Sequence, residues 1–341
     1  MRIYSSIDQF VSFLKGQSTS FDFLSDEFNG LRTKEKNILY DKNIVFKYYD
    51  DLKTKISNIK YESEDSHVLL FYDRDNLTHI TKIRFDSLGL IDSFVEEVYH
   101  SDFKTMVLVV SYDGSKYYGM QKQVKEDQPT IQDEIEKALL LMTGMDIPIT
   151  ISSRTDRGVH ALGQIVSFDS KGIDASRYIY ALNRILPTDI RIKDAYSRSQ
   201  LFNARYDSVK KTYQYIVDMG EYNLFNKNYC YYHRINNISK IRDELKSLIG
   251  THDFKSFSKG SKNDTIRTIY DASIHLEDEK IIFTFTGSGF LHCMIRLIVG
   301  ALLEIDSKGV GSIKAILDAK DKKKTSHVAP PEGLYLMSIT Y

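Results

Sequence analysis

The stretch with the clearest chemical potential is residues 153–161, which read Ser-Arg-Thr-Asp-Arg-Gly-Val-His-Ala. Asp156 offers a carboxylate that can serve as a nucleophile or as an acid–base group. Arg154 supplies a positive charge that favours the ionised carboxylate. Thr155 can bond the loop backbone, and Gly158 permits a positive φ or the close approach of a ligand. Alone, the pattern is compatible with a reactive loop and with an ordinary turn that carries a surface ion pair.

A second candidate is an arginine inside an apolar segment. Residues 287–305 read Gly-Ser-Gly-Phe-Leu-His-Cys-Met-Ile-Arg-Leu-Ile-Val-Gly-Ala-Leu-Leu-Glu-Ile, which predicts a helix that contains Arg296. A buried guanidinium without a partner is very costly, so Arg296 requires a buried anion. Glu304, or another carboxylate of the core, is one such partner.

Two tyrosines and several basic residues complete the set. In the strand predicted at 210–215, alternation places Tyr213 and Tyr215 on one face, where such side chains usually belong to the core. Three basic residues could contact a nucleic acid, but each has an alternative: a plain turn for Lys116, a structural ion pair for Arg205 and a solvated surface loop for Arg267.

Together these motifs resemble the pseudouridine synthases that modify transfer RNA, the family typified by tRNA pseudouridine synthase A. The likeness runs from residue 106 to the C-terminus. It rests on Arg-Thr-Asp-x-Gly-Val-His-Ala at 154–161, Tyr-Asp-Gly at 112–114, Phe-x-Ala-Arg at 202–205, Gly-x-x-Asp-Phe-x-Ser-Phe at 250–257 and Glu-Gly-Leu-Tyr-Leu at 332–336. Four residues depart from the usual family pattern: Met120, Ser153, Arg157 and Asn203.

The resemblance implies an isomerase that converts uridine to pseudouridine in tRNA, at uridines of the anticodon stem-loop, without cofactor or metal. It implies Asp156 as the nucleophile, kept charged and aimed by Arg296. Arg154 would hold a phosphate and the everted nucleotide, and Tyr213 would stack on the target base and help to remove a proton. The remaining substrate-binding candidates are Lys116, Arg205 and Arg267. Attack at C1′, attack at C6 and a glycal route are all compatible. The alternative is a catalytically silent RNA-binding protein or tRNA chaperone on the same scaffold.

The elements that must position these residues are of the α+β class. Strands are predicted at 106–112, 147–151 and 164–168, and helices at 130–142 and 175–184. The resemblance implies two ferredoxin-like, or RRM-like, halves at about 105–207 and 208–341. They would share one antiparallel sheet, with the active cleft between them, and the protein would act as a homodimer.

Residues 1–100 predict a separate, small α+β domain. Apolar residues at 7–14 indicate a short helix, strands are indicated at 43–49, 56–61, 67–72 and 79–85, and residues 88–98 fit a helix or a strand. This antiparallel meander faintly resembles part of an NTF2-like cone. We interpret it as an accessory or dimerising domain, joined by a linker at 100–104 to the catalytic domain at 105–341.

Composition places limits on partners and compartment. The net charge of the 341-residue chain is zero, but residues 1–100 contain 13 basic and 17 acidic residues, whereas residues 101–341 contain 33 and 29. The excess of positive charge in the second part favours an RNA partner.

Two distant cysteines argue against a disulfide framework or a structural zinc site and suit a reducing cytosol. Because no apolar run approaches the roughly 20 residues of a membrane span, we expect a cytoplasmic protein.

Overall fold

The computed structural model describes residues 103–123, 128–198, 202–260 and 264–341, together with the backbone of four strands between residues 59 and 97. The helix predicted at 7–14 and the strand predicted at 43–49 lie outside the described residues. The chain divides into two compact units, of which the first comprises residues 1–105, 170–172 and 198–202 and the second comprises the rest. Within the described residues, no helix is both long and apolar enough to cross a bilayer.

The first unit contains a four-stranded antiparallel meander. Its strands are β1 (Ile59–Asp65), β2 (Val68–Asp73), β3 (Ile80–Phe85) and β4 (Ile91–Glu97). They pair in chain order, β1 with β2, β2 with β3 and β3 with β4. The predicted meander is therefore confirmed, and the segment that fitted a helix or a strand is a strand. Gly89 lies inside that segment, and an interior glycine weakens a helix.

Ten further strands and five α-helices follow in the described part of the chain. The strands are β5 (Phe103–Tyr112), β6 (Thr150–Ile151), β7 (His160–Lys171), β8 (Ile190–Arg198), β9 (Lys210–Asp218), β10 (Tyr231–Tyr232), β11 (Gly250–Asp253), β12 (Ile266–Glu277), β13 (Lys280–Gly287) and β14 (Leu334–Thr340). The helices are α1 (Ile131–Thr143), α2 (Ala175–Ile185), α3 (Ile238–Lys246), α4 (Met294–Lys308) and α5 (Ile313–Ala319).

These ten strands form one sheet in the order β11-β12-β13-β9-β14-β7-β5-β8, with β6 beside β7 and β10 beside β9. The chain forms two β-α-β-β-α-β repeats. Across the sheet, the strands of each repeat lie in the order fourth, first, third, second: β8-β5-β7-β6 in the first repeat and β14-β9-β13-β12 in the second. This is the ferredoxin-like arrangement, so the predicted α+β fold with two such halves in one sheet is confirmed.

The join between the halves is parallel rather than antiparallel. Strand β14 pairs antiparallel with β9 but parallel with β7, where Tyr335 lies beside His160. The reason is that β14 closes the second half and lies along the beginning of β7. Strand β7 in turn continues directly from the loop that carries Asp156. The join therefore places the second half beside this loop.

Helix α1 forms where the sequence indicates it. The side chain of Thr130 accepts the N–H of Asp133 at its start, and Gly144 ends it with φ 73°. The strand predicted at 147–151 shortens to β6, because the N–H of Ile149 donates to Glu136 Oε1 at 3.0 Å instead of joining the sheet. Ile149 remains buried, which explains its apolar character.

Helix α4 begins later than its apolar pattern predicts. Residues 288–293 form a loop after β13, and Cys293 has a left-handed backbone with φ 61° directly before the helix. Two glycines in the predicted first turn, Gly287 and Gly289, disfavour helix there. Arg296 consequently lies in the first turn of α4, close to the loop, rather than deep within the helix.

Candidate active site

The centre of the site is an ion pair between the Asp156 loop and helix α4. Arg296 Nη1 donates to Asp156 Oδ2 at 2.9 Å, and Arg296 Nε donates to the carbonyl of Ala329 at 2.8 Å. The side chains of Arg296 and Asp156 are 15% and 27% exposed. Glu304, the other proposed partner, instead binds Lys308 at 2.7 Å. Arg296 thus holds a carboxylate that is still partly exposed.

The backbone of residues 113–120 packs against the Asp156 loop and forms hydrogen bonds with it. Met120 N–H donates to the carbonyl of Thr155 at 3.2 Å, and Gly158, with φ 79°, donates to the carbonyl of Tyr117. A Cβ atom on Gly114 would lie 2.0 Å from the carbonyl oxygen of Val159, so only glycine permits this approach. Met120 is fully buried here and fills the apolar gap.

A buried hydrogen-bond network fixes the start of the loop. Gln164, which is fully buried, accepts from the Ser153 N–H at 3.2 Å and donates to the Ser153 carbonyl at 2.6 Å. The hydroxyls of Tyr112 and Thr155 lie 2.7 Å apart. Thr155 therefore bonds a side chain, whereas its sequence position indicates a bond to the loop backbone. Burial raises the pKa of Tyr112 to about 12, so its phenol is neutral.

Tyr213 enters the site from β9 in the second half. Its hydroxyl lies 2.8 Å from Ser153 Oγ, and its ring packs against Phe290 with a centroid distance of 5.2 Å. Burial raises the pKa of Tyr213, which keeps the phenol neutral. Tyr215, on the same face of β9, is also buried and donates to the carbonyl of Pro330. The predicted common face of these two tyrosines is confirmed.

Two residues next to Asp156 were missed from the sequence. His292 Nε2 lies 3.6 Å from Asp156 Oδ1, and Cys293 Sγ lies 3.4 Å from Asp156 Oδ2. Burial, followed by the nearby carboxylate, raises the pKa of the Cys293 thiol to about 11. The available signal was the His-Cys pair directly before the apolar run that contains Arg296.

The outer basic residues do not contact Asp156 in the described part of the chain. Arg154 is exposed and has no hydrogen bond or ion pair there. Lys116 lies 3.5 Å from Asp189, and Arg205 packs over the ring of Tyr206. Arg267 is only 16% exposed and binds Asp264 at 3.1 Å. The structure therefore brings Asp156, Arg296 and Tyr213 together, and it leaves the other four candidates on the periphery.

A family model described as tRNA pseudouridine synthase matches residues 108–207 and 245–341, more than half of the chain. The chain belongs to the tRNA pseudouridine synthase family. The residues matched to the family include Asp156 and Arg296, which form the central ion pair, whereas Tyr213 lies between the two matched segments.

Individual members of this family are similar to the chain over nearly the whole of their own length. The tRNA pseudouridine synthase A of Bacillus subtilis (strain 168) is 42% identical over 245 residues, which cover 68% of this chain and 97% of the relative. That of Acetivibrio thermocellus is 39% identical over 249 residues, or 70% and 100% of the two chains. That of Anoxybacillus flavithermus is 38% identical over 239 residues, or 68% and 96%.

Proposed function

We propose that this protein isomerises uridine to pseudouridine in transfer RNA, with Asp156 as the nucleophile. The observation that carries the proposal is the partly exposed Asp156 carboxylate held at 2.9 Å by Arg296. The substrate class comes from the relatives, which are named tRNA pseudouridine synthase A. Uridines of the anticodon stem-loop are the proposed targets.

The reaction breaks the bond between ribose C1′ and uracil N1, turns the base, and joins C1′ to C5. The proton on C5 is lost and N1 gains one, so no electrons and no water are consumed. A carboxylate can bond covalently to the substrate while the base turns, and it can stabilise positive charge at C1′. Routes through C1′ and through C6 both use Asp156 in this way.

Arg296 fixes the direction of the carboxylate through its second hydrogen bond, to the carbonyl of Ala329. Because the guanidinium is bonded to Ala329 as well as to Asp156, it cannot turn into solvent together with the carboxylate. The nucleophile is therefore pre-organised before substrate arrives. On the route through C1′, the Arg296 charge also stabilises the carboxylate as leaving group when C5 displaces it.

Tyr213 contributes a ring surface and a neutral hydroxyl. Because burial raises its pKa, the phenol of Tyr213 keeps its own proton and supplies no phenolate to act as a base, so stacking is favoured over proton removal. Tyr213 is only 5% exposed and packs against Phe290, so a base reaches the ring only when Phe290 moves aside. Eversion of the uridine costs a few kcal/mol of lost stacking.

The peripheral basic residues would contact phosphates around the everted nucleotide. Arg154 is exposed and available for this role. Arg205 is also exposed, whereas Lys116 and Arg267 would have to exchange Asp189 and Asp264 for phosphate oxygens. Such exchange is inexpensive for Lys116, since its side chain is 80% exposed and surface ion pairs are weak.

Release of tritium from tRNA labelled at uridine C5 tests the reaction and the nucleophile together. We expect release by the wild-type protein and a loss of at least about a thousandfold in Asp156→Asn, with tRNA binding retained. The matched control is Asp271→Asn, an exposed acid on β12, which should release tritium normally. Wild-type release by Asp156→Asn would remove Asp156 from the mechanism, and its absence in the wild type would refute the activity.

We also propose that residues 105–341 carry the whole catalytic function, with residues 1–100 as an accessory domain. In support, 70% of this chain covers the whole length of one relative, and the family match begins at residue 108. A protein that lacks residues 1–100 should therefore retain tritium release. Loss of release from a folded truncated protein would show that the first domain takes part.

A homodimer in the cytoplasm is the proposed state of the protein. Three residues of one loop present large exposed apolar surface: Tyr222 (65%), Leu224 (60%) and Phe225 (86%). Exposed apolar groups of this kind mark protein interfaces, and the buried or half-buried thiols of Cys230 and Cys293 suit a reducing compartment. Light scattering should give twice the chain mass for the wild type, and Phe225→Ser should shift the protein towards the monomer.

A further inference from the structure

We propose that Asp156, His292 and Cys293 form a binding site for a thiophilic divalent cation such as Zn²⁺, and that the bound cation blocks the active site. One oxygen, one nitrogen and one sulfur atom from these residues all lie within 4.8 Å of one another. The binding is independent of the proposed function, whereas the inhibition rests on it, because Asp156 is the proposed nucleophile.

Two of the distances are close to those of a tetrahedral zinc site. With metal bonds of about 2.3 Å to sulfur and about 2.0–2.1 Å to nitrogen and oxygen, neighbouring ligand atoms are separated by about 3.3–3.6 Å. Cys293 Sγ lies 3.4 Å from Asp156 Oδ2, and His292 Nε2 lies 3.6 Å from Asp156 Oδ1. The two distances end on different carboxylate oxygens, so both Cys293 and His292, of which His292 is 59% exposed, must rotate towards one oxygen to bring all three atoms onto one ion.

The backbone explains how two consecutive residues reach the same carboxylate. Cys293 has a left-handed conformation with φ 61°, and α4 starts immediately after it. The carbonyl of His292 accepts the N–H of Lys259 at 3.2 Å, which fixes the turn from the other side. The side chains of His292 and Cys293 thus approach Asp156 from one loop whose shape exists before any ion arrives.

The ligand set selects the class of metal. A carboxylate, an imidazole and a thiolate form the kind of three-residue set that zinc uses when its fourth position stays open. The thiol releases its proton to solvent when the metal binds. Mg²⁺ prefers oxygen ligands and keeps much of its water, so it should not occupy this site.

The positive charge of Arg296 opposes binding of any cation. Asp156 Oδ2 accepts from Arg296 Nη1 and from the Cys293 thiol, whereas the described contact of Oδ1 is with His292. A metal can therefore approach through Oδ1 without displacing the guanidinium. The remaining repulsion between Arg296 and the ion weakens the site, so we expect micromolar affinity, far below that of a structural zinc site.

Cobalt titration of the full-length protein tests the site without any assay of activity. Co²⁺ bound to a thiolate gives a charge-transfer absorption band, which we expect in the wild type, not in Cys293→Ser, and weakened in His292→Asn. The matched control is Cys230→Ser, since Cys230 lies elsewhere and contacts Asn226. The proposal is overturned if the wild type gives no band, or if the band survives Cys293→Ser or disappears with Cys230→Ser.

Inhibition is measured by tritium release in buffered micromolar Zn²⁺, with each variant compared with its own metal-free rate. We expect inhibition of the wild type that a chelator and excess tRNA both relieve, and at least about tenfold lower sensitivity in Cys293→Ser and His292→Asn. Equal sensitivity of these variants would overturn the inhibitory role. Absence of release without metal would instead refute the proposed function, and the cobalt result would stand separately.

Discussion

The guanidinium of Arg296 donates a 2.9 Å hydrogen bond to the carboxylate of Asp156 across 140 residues of sequence. Asp156 belongs to the loop between β6 and β7, and Arg296 belongs to the first turn of α4. One half of the sheet therefore supplies the carboxylate and the other half supplies the group that aims it. The site exists only where the two halves meet.

Arg296→Lys should lower the rate of isomerisation strongly. A lysine keeps the charge, but its single ammonium group cannot bond both Asp156 and the carbonyl of Ala329 in the same geometry. We expect kcat to fall by about 10²-fold and the free energy of unfolding to fall by about 1–3 kcal/mol. Single-turnover kinetics and urea denaturation measure the two effects. Arg242→Lys, an exposed change on α3, is the control, and an equal kcat for both variants would contradict the assigned role.

Tyr213→Phe should retain much more activity than Tyr213→Ala. Phenylalanine keeps the ring surface on which a base can stack, whereas alanine removes it. We expect a decrease of less than about tenfold in kcat for the first variant and a further decrease of about ten- to a hundredfold for the second. If Tyr213→Phe is as inactive as Tyr213→Ala, the hydroxyl takes part in proton transfer and the stacking interpretation is wrong.

The hydroxyls of Ser153 and Tyr213 should be energetically coupled. Each single removal, Ser153→Ala or Tyr213→Phe, leaves the other hydroxyl without the partner that lies 2.8 Å away. We expect each to cost about 1–2 kcal/mol of unfolding free energy, and the double variant to cost about 1 kcal/mol less than their sum. Urea denaturation of the four proteins gives the coupling energy. Strict additivity would show that the pair contributes nothing to stability.

Gly114→Ala should disrupt the Asp156 loop, whereas the same substitution at Gly260 should be tolerated. A Cβ atom on Gly114 would meet the carbonyl of Val159 at 2.0 Å, so the Asp156 loop would have to move. At Gly260 the nearest atoms lie 3.7 Å from the point that a Cβ would occupy, an ordinary contact. We expect a large decrease in melting temperature and in tritium release for Gly114→Ala only. Similar melting temperatures for Gly114→Ala and Gly260→Ala would show that the loop adapts to the methyl group.

His160 should make the protein less stable in acid. The Gly114 N–H donates to Nδ1, and Nε2 lies 2.8 Å from the carbonyl of Asn228, which suits a neutral ring with its proton on Nε2. Burial lowers its pKa below 6.5, although the nearby Asp113 acts in the opposite direction. Below that pH the unfolded chain takes up a proton that the folded chain does not, so stability falls as pH falls.

The size of this acid effect is at most about 1.4 kcal/mol per pH unit for one proton. Melting temperatures between about pH 7 and pH 5 should therefore decrease more steeply for the wild type than for His160→Gln, whose amide can still donate to Asn228. Because only the slopes against pH are compared, a loss of stability of His160→Gln at neutral pH does not affect the result. Parallel slopes would show that His160 does not titrate differently in the two states.

The sequence predicted the features that depend on local patterns. Alternation located Tyr213 and Tyr215 on one face, the Thr130 cap located α1, and the isolated charge of Arg296 required an anion. The choice of Asp156 over Glu304 depended on the resemblance to a family, because no local pattern specifies a partner 140 residues away.

The features that were not predicted depend on tertiary contacts. The Ile149 N–H bonds a helix side chain, which shortens a strand that its apolar residues indicate. The hydroxyl of Thr155 forms a hydrogen bond with the hydroxyl of Tyr112, which belongs to β5. Cys293 was not predicted because two distant cysteines do not suggest a metal site, and only the fold places its thiol beside a carboxylate and an imidazole.

The position of β14 determines when during synthesis the two halves can unite. This strand contains some of the final residues of the chain, yet it lies between β9 and β7 and is the one link between the halves in the sheet order. The sheet therefore cannot close before β14 has been synthesised and has left the ribosome. In an unfinished nascent polypeptide, Asp156 and Arg296 would belong to two halves that are not yet joined. Such a chain would have no catalytic centre with which to modify RNA.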